Sequence, residues 1–422
     1  MNKKRVLSWC IYDWASSAFP TIVMTFVFAT YFSEGIAASP EEGAILWGRA
    51  MAIAGVILAI LAPIFGAIAD FAGHRSRWLL FFTVTCALAS ILLWYAYPDA
   101  DYLIYGLSMA VIGIVAFEFG MVFYNAYLPE VADKAHYGRV SGWGWGLGYF
   151  GGLLALVVAL LAFIQTDTPI FGISKENAAN VRATFVMVGI WFLLFSIPVF
   201  MVLPKLDKPG VGLVRAVPMG INSLWQTLRK LVHQKDILGY LIARMIYTDG
   251  LNTLFVFGGI YAAGTFGMDL AAVITFGIAL NVTSGLGAFG FAWLDDFMGP
   301  KKVLLICLAC LSVLGFIATM VTDITHFWIA GLLIGIFLGP VQSASRTMLA
   351  HLAPEDLHTE YFGIYALSGK ATAFLGPWLL SLSIGMFGTQ RAGMAVIIGF
   401  FLVGGLLLWR LKLDKYTKAP SS

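Results

Sequence analysis

The chain has 422 residues, of which 60% are apolar, 15% aromatic and only 12% charged. This composition excludes an ordinary soluble domain, in which about 25% of residues are charged. The net charge of +3 carries little information by itself, and we expect no nucleic-acid partner.

The chain contains twelve apolar runs. Each is close to or above the length of about 20 residues that an α-helix needs to cross a membrane. Backbone polar groups in lipid must be satisfied within the segment, so the runs are predicted to be helices. The alternating runs of about 10 residues that would indicate a transmembrane β-barrel do not occur. The predicted spans are 9–33, 46–69, 78–97, 102–128, 142–164, 182–203, 237–262, 270–294, 303–322, 327–349, 362–386 and 392–411.

Lysine and arginine predict the orientation of these spans. With the N-terminus in the cytoplasm, nineteen of the 26 fall on cytoplasmic segments, four on outer segments and three within spans. This bias satisfies the positive-inside rule. The sequence therefore predicts a multi-pass protein of the cell membrane (inner or plasma membrane) with both termini in the cytoplasm.

The first span contains an ionisable residue, Asp13, on the same helical face as Ser16 and Ser17. A charge among apolar residues is costly and by default indicates function, although an interfacial Asp capped by its serine neighbours is the alternative. The seventh span repeats the pattern around Asp249, 236 residues later. The repetition favours a functional role for both carboxylates.

A charged loop after the second span marks a duplication. Gly66, Asp70, Gly73, Arg75 and Arg77 define it. Asp296 and Gly299 repeat the Asp and the following Gly at an offset of 226, and Pro129-Glu130 returns as Pro354-Glu355 at an offset of 225. The chain is therefore predicted to contain an N-terminal six-helix bundle (1–203), a cytoplasmic linker (204–236), and a C-terminal six-helix bundle with a short tail (237–422). Parallel repeats of this kind place a binding site between the halves near the midplane.

Glu118 lies more than half-way along the fourth span, two helical turns before Asn125. A lipid-facing Glu would be expensive here, so its side chain should face the interior, either in a functional role or in an interhelical hydrogen bond. In the fifth span, Gly144, Gly148 and Gly152 are spaced by four, which predicts a groove for another helix.

The linker between the halves carries an apolar stripe of Leu224, Leu228, Leu231 and Val232. The stripe predicts an amphipathic helix on the cytoplasmic membrane surface. We interpret it as a linker, with a regulatory role as the alternative.

The second half contains further polar residues within spans: Asn252, Asn281, Gln342, Arg346 and Lys370. Arg244 and Arg346 lie near span ends, where they can also snorkel to the interface. Three acids (Asp13, Glu118, Asp249) and three bases (Arg244, Arg346, Lys370) predict an amphoteric interior. The four cysteines are interpreted as packing residues, and no histidine cluster indicates a metal site.

These features resemble the major facilitator superfamily: twelve spans in two halves, cytoplasmic ends, a long central loop, and Gly66-x-x-x-Asp70-x-x-Gly73-x-Arg75-x-Arg77. The family usually has a basic residue where Phe71 stands. Tyr12-Asp13-Trp14-Ala15-x-Ser17-Ala18-Phe19 is similar to the narrower vacuole-effluxer-like branch, which includes autophagy-related amino-acid effluxers.

The resemblance implies an all-α integral membrane protein with the major facilitator fold. It also implies that Asp70 contacts the start of the eleventh helix, and by symmetry Asp296 should face the start of the fifth, near Ser141. Arg75 and Arg77 are expected to pair with Glu130 or Asp133. We expect Gly66, Asp70, Gly73, Arg75, Arg77, Asp296 and Gly299 to form a cytoplasmic gate.

The predicted function is secondary active transport of a small polar or zwitterionic solute, such as an amino acid, by alternating access. The coupling and substrate candidates are Asp13, Glu118, Asn125, Asp249, Asn252, Asn281, Gln342, Arg346 and Lys370. A proton is the favoured coupling ion, with sodium as the alternative, and no other cofactor or metal is expected. The partners are the solute and the lipid bilayer, and we expect a monomer. The alternative interpretations are a lipid flippase or scramblase and a membrane sensor that does not transport a solute. Enzymatic activity is not expected.

Overall fold

The computed structural model describes residues 1–203, 211–413 and 416, and these residues form helices joined by short turns. No strand occurs in this part of the chain. The α-helices are α1 (Lys3–Ser16), α2 (Phe28–Tyr31), α3 (Pro40–Ala72), α4 (Arg75–Leu92), α5 (Leu103–Asn125), α6 (Leu128–Val131), α7 (Tyr137–Val158), α8 (Ala179–Val202), α9 (Leu213–His233), α10 (Lys235–Phe266), α11 (Leu270–Met298), α12 (Pro300–Met320), α13 (Ile324–Leu352), α14 (His358–Ser368), α15 (Leu375–Phe387) and α16 (Gln390–Arg410).

Ten helical segments of the described chain are long and apolar enough to cross a membrane. The seventh predicted span corresponds to α10, a 32-residue helix that contains Arg244 and Asp249. The eleventh corresponds to α14 and α15, which are separate helices. The all-helical membrane fold is therefore confirmed, while the count of twelve crossings stays a prediction.

The first predicted span changes its helical form along its length. After α1, residues Pro20–Phe26 and Phe32–Ile36 are π-helical, with α2 between them. Pro20 has no N–H to donate to the carbonyl four residues earlier, and its ring would clash with that carbonyl in a continuous α-helix. The widened turns begin at this residue.

The eleventh predicted span is interrupted by turns at residues 369–374. This break is not evident from the sequence, because apart from Lys370 the residues around it are compatible with an apolar span. Pro377, in the first turn of α15, cannot donate to the carbonyl of Ala373. The interruption places Lys370 at the end of a half-helix instead of on the side of a continuous one.

Both copies of the charged loop turn on a glycine with a positive φ. Gly73 ends α3 with φ 69°, and Gly299 ends α11 with φ 87°. A side chain in this region of backbone space is strained, so the sequence requires glycine at both turns. These loops lie on the same face as residues 411–413, since Lys301 Nζ donates to the Leu411 carbonyl at 2.6 Å. We call this the terminal face.

Helix α9 occupies most of the predicted linker; residues 204–210 lie outside the described chain. It packs against α3, with Gly220 on the backbone of Ile68 and with Leu224 and Leu231 buried. Leu228 and Val232 of the predicted stripe are exposed instead. Two residues of the predicted stripe therefore pack on the protein and two point outward, and the location of α9 on the cytoplasmic membrane surface stays a prediction.

The glycine groove of α7 receives the first predicted span. Gly144, Gly148 and Gly152 contact Asp13, Ser17 and Thr21, respectively, which are also spaced by four. A Cβ atom at Gly144 would come within 2.5 Å of Asp13 Oδ2. The predicted groove is confirmed, and it fixes Asp13 deep between α1 and α7.

Candidate functional site

A cavity of about 250 Å³ lies between the two halves of the chain. Helices α5 and α7 line it from the first half, and α10, α13 and α14 line it from the second. The predicted site residues that reach it are Glu118, Asn125, Asn252, Gln342, Arg346 and Lys370. Six of the nine sequence candidates are therefore brought to one cavity.

Arg346 joins the two halves beneath this cavity. Its Nη1 atom lies 3.1 Å from Asp13 Oδ2 and 3.2 Å from Asn125 Oδ1. Its Nε donates to Ser141 Oγ at 2.9 Å, and its Nη2 to the Ser141 carbonyl at 2.8 Å. Arg346 is 1% exposed and stacks on the Trp9 ring, 4.6 Å from its centroid. It does not snorkel to the interface, because its charge is matched inside the protein.

Glu118 and Lys370 form a second ion pair across the halves. Lys370 Nζ lies 2.8 Å from Glu118 Oε1, and both side chains are partly accessible from the cavity. Glu118 precedes Asn125 by seven residues, so the pair lies about 10 Å above Arg346 along α5. This accessible pair can exchange partners with a solute, whereas the pair of Asp13 with Arg346 is almost completely buried.

Three predicted candidates do not line the cavity. Asp13 is buried against Arg346 instead. Asp249 is 2% exposed and packs near Thr372, with no hydrogen-bond partner for its Oδ1 among the described residues. Asn281 donates to the Gly277 carbonyl of its own helix at 2.8 Å. The structure thus separates these three from the residues that a solute would contact.

Arg244, whose position in the sequence also allowed its side chain to snorkel to the interface, lines the same cavity. It is 8% exposed, its Nη1 donates to the Tyr365 carbonyl at 2.6 Å, and its guanidinium stacks on the Tyr365 ring. The signal in the sequence was its position only five residues before Asp249, which placed it within the span.

The terminal face is closed where α3 meets the start of α14. Asp70 Oδ2 accepts the Glu360 N–H at 2.8 Å, and Asp70 Oδ1 accepts the Thr359 N–H at 3.4 Å. A carboxylate is stabilised at this end of a helix by the exposed N–H groups and the helix dipole. Gly66 packs directly on the Thr359 carbonyl, so a side chain at 66 would separate the two helices. The contact expected for Asp70 is confirmed.

The second copy of the loop closes the symmetric contact. Asp296 Oδ1 accepts the Arg139 N–H at 3.1 Å in the first turn of α7, and Arg139 Nε lies 3.3 Å from Asp296 Oδ2. Ser141 Oγ then donates to the Ser343 carbonyl at 2.9 Å. The contact expected for Asp296 is therefore also confirmed.

The expected partners of Arg75 and Arg77 were wrong. Arg75 Nη2 lies 3.3 Å from Asp70 Oδ1, and its Nη1 donates to the Ala126 carbonyl at 3.0 Å. No ion pair joins either arginine to Glu130 or Asp133, all four of which the structure describes. Arg77 is exposed. Arg75 is the basic partner of Asp70, a role that the residue at Phe71 does not fill.

The chain matches the family model "Vacuole effluxer Atg22 like" over residues 49–420. It is 26% identical over 411 residues to the uncharacterised MFS-type transporter YxiO of Bacillus subtilis, covering 96% of this chain and 94% of that protein. It is 26% identical over 342 residues to autophagy-related protein 22 of Kluyveromyces lactis, covering 73% and 67% of the two chains.

Two solved structures share the fold at low sequence identity. The transporter FucP in its outward conformation superposes with a TM-score of 0.74 at 14% identity, covering 96% of this chain and 97% of FucP. The human organic anion transporter MFSD10 superposes with a TM-score of 0.72 at 14% identity, covering 97% and 100%. Because the family model matches residues 49–420, the chain belongs to the vacuole effluxer Atg22-like family of major facilitator transporters.

Proposed function

We propose that the protein is a secondary active transporter that moves a small polar or zwitterionic solute, such as an amino acid, by alternating access. The ion pair of Glu118 with Lys370 carries this proposal, because it crosses between the halves inside a cavity of solute size. A solute that binds there competes directly with an interaction that holds the halves together. Binding and conformational change are thereby coupled.

Glu118 is the proposed coupling residue. A proton on its carboxylate removes the charge that holds Lys370, so protonation and solute binding act on the same pair. Sodium could screen the carboxylate in the same position, so the driving ion is decided by experiment. Asp13 is the less suitable candidate because it is buried against Arg346.

The positive-inside bias of the sequence supports a cytoplasmic terminal face. In that orientation the contacts of Asp70 and Asp296 seal the cytoplasmic side of the cavity, and they must break for the solute to enter or leave the cytoplasm. We propose that the protein acts in this way, as a monomer, in the plasma membrane.

Uptake by proteoliposomes tests this proposal. Vesicles are loaded with buffers that impose a pH gradient or a sodium gradient, and accumulation of radiolabelled amino acids and hexoses is measured. We expect accumulation under the pH gradient, and loss of accumulation in Glu118→Gln with solute exchange retained. If no solute accumulated under either gradient, the proposed transport function would be contradicted. If proton-driven accumulation were undiminished in Glu118→Gln, Glu118 would be excluded as the coupling residue.

A further inference from the structure

The charged groups around the cavity do not balance. Arg346 is matched by Asp13, and Lys370 is matched by Glu118, at 3.1 and 2.8 Å. Arg244 is the third cation lining the cavity, and no acid in the described chain forms an ion pair with it. The site therefore carries one unmatched positive charge.

Arg244 is held in place by neutral groups alone. Its Nη1 donates to the Tyr365 carbonyl and to the Ser368 hydroxyl, at the end of α14. Its Nε, which is buried, and its Nη2 donate to no described residue, so the edge of the guanidinium that carries these two atoms is unused. Tyr365 stacks against the guanidinium, which fixes the plane of the group beside the cavity. An immobilised guanidinium with an unused donor edge is the arrangement that binds carboxylates.

The nearest acid in sequence does not neutralise Arg244. Asp249 lies five residues further along α10, about half a turn round the helix, and it is buried near Thr372 instead. A buried charge without a counter-ion is expensive. A bound anion would offset that cost at Arg244.

We propose that Arg244 binds the carboxylate of the transported solute. This assignment rests on the proposed transport function and restricts the substrate to solutes that carry a carboxylate. The other two cations of the cavity, Arg346 and Lys370, already have acidic partners. Arg346 is excluded because it already donates to Asp13, Asn125 and Ser141. Lys370 instead holds Glu118, so an amino group of a zwitterionic solute can take the place of Lys370 at that carboxylate. Neutral sugars leave Arg244 unmatched and are disfavoured.

Ligand-induced thermal stabilisation of the purified protein in nanodiscs tests the assignment. The probes are the L-amino acids, the carboxamide of each, and neutral hexoses. We expect at least one amino acid to stabilise the wild type and its carboxamide not to do so. Arg244→Gln should weaken binding of that amino acid by about 10- to 100-fold, the range for a hydrogen bond to a charged group. Arg244→Lys keeps the charge but lacks the planar guanidinium. Its affinity for the amino acid should lie between those of the wild type and Arg244→Gln.

Arg391→Gln is the matched control. Arg391 also donates to main-chain carbonyls, those of Thr319 and Val321, but it does not line the cavity. It should fold as well as Arg244→Gln and bind the amino acid with unchanged affinity.

The assignment is overturned if no amino acid in the panel binds, if a carboxamide or hexose binds as tightly as the acid, or if Arg244→Gln binds the acid with unchanged affinity. Gradient-driven uptake of a neutral hexose that persists in Arg244→Gln would overturn the anion site and leave the transport function standing. Absence of all flux in the wild type would remove the transport function itself.

Discussion

Arg346 reaches from α13 of the second half to Asp13 in α1 of the first half, with 3.1 Å between Nη1 and Oδ2. Ser141 and Asn125 take up its other donors, so one side chain links three helices of the opposite bundle. This cluster lies between the cavity and the terminal face. It closes the floor of the cavity for as long as the halves remain together there.

Breaking this pair from one side should be costly. Arg346→Gln leaves Asp13 buried without its cation, and the free energy of unfolding should fall by about 3–5 kcal/mol. Asp13→Asn combined with Arg346→Gln should lose less stability than the sum of the two single variants, because the double variant leaves no isolated buried charge. Thermal unfolding in nanodiscs measures the cycle, and additive losses would show that the two residues do not interact.

Asp70 and Asp296 should hold the terminal face closed. Asp70→Asn and Asp296→Asn weaken charge-assisted bonds to helix starts by about 1–3 kcal/mol, which should move the equilibrium toward opening. Spin labels at positions 134 and 355 report the distance, since Lys134 Nζ lies 3.4 Å from Glu355 Oε1 across the halves. Asp101→Asn is the control, because Asp101 is exposed in the turn before α5 and takes part in neither contact. An unchanged distance distribution in both variants would contradict the assigned role.

Helix α9 should support the same closed face. Ser223 Oγ donates to Glu360 Oε2 at 2.8 Å, and Glu360 supplies the N–H that Asp70 accepts. Gly220→Leu would push α9 away from Ile68 and should lengthen the distance between the labels at 134 and 355. Ile221→Leu, on the exposed face of α9, should leave it unchanged. If the two substitutions changed the distance between the labels equally, α9 would not support the closed terminal face.

Acid should weaken the terminal face through His358. The pKa of His358 is lowered from 6.5 to about 4, mainly by burial and also by the neighbouring charges of Arg75 and Lys134, while Glu355 opposes the shift. The neutral imidazole is favoured when buried, so protonation is favoured once it is exposed. Stability from this group is full above pH 6.5 and is lost as the pH falls toward 4.

The melting temperature between pH 7.5 and 4.5 measures this effect. His358→Gln should reduce the acid-induced fall, whereas the exposed His326→Gln should not. An identical pH profile for wild type and His358→Gln would rule out this source of acid sensitivity.

The repeated loops were predictable because they carry their own symmetry. Asp70 and Asp296 occupy equivalent positions in two halves, and each must face a helix start in the other half, as the structure shows. Gly73 and Gly299 were also predictable as turn residues, because each turn requires a positive φ that glycine adopts without strain. Local pattern and the duplication were sufficient for these features.

The partners of the buried cations were not predictable in the same way. Arg346 and Arg244 look alike in the sequence, yet Asp13 neutralises one and no acid pairs with the other in the described chain. That difference depends on which helix of the opposite half packs beside each arginine, and the hydropathy pattern does not specify this packing. The break before α15 was missed for a related reason, because hydropathy does not register interrupted backbone hydrogen bonding.

Alternating access is tested most directly by locking the terminal face. Cysteines at positions 134 and 355, with Cys310→Ser to remove the partly exposed native thiol, are joined by a bifunctional methanethiosulfonate and reconstituted into vesicles. The single Lys134→Cys protein treated in the same way is the control. Gradient-driven amino-acid uptake should stop when the two halves are joined and return when a reducing agent releases them. Uptake that continues at the same rate in the joined protein would contradict transport through the cavity between the halves.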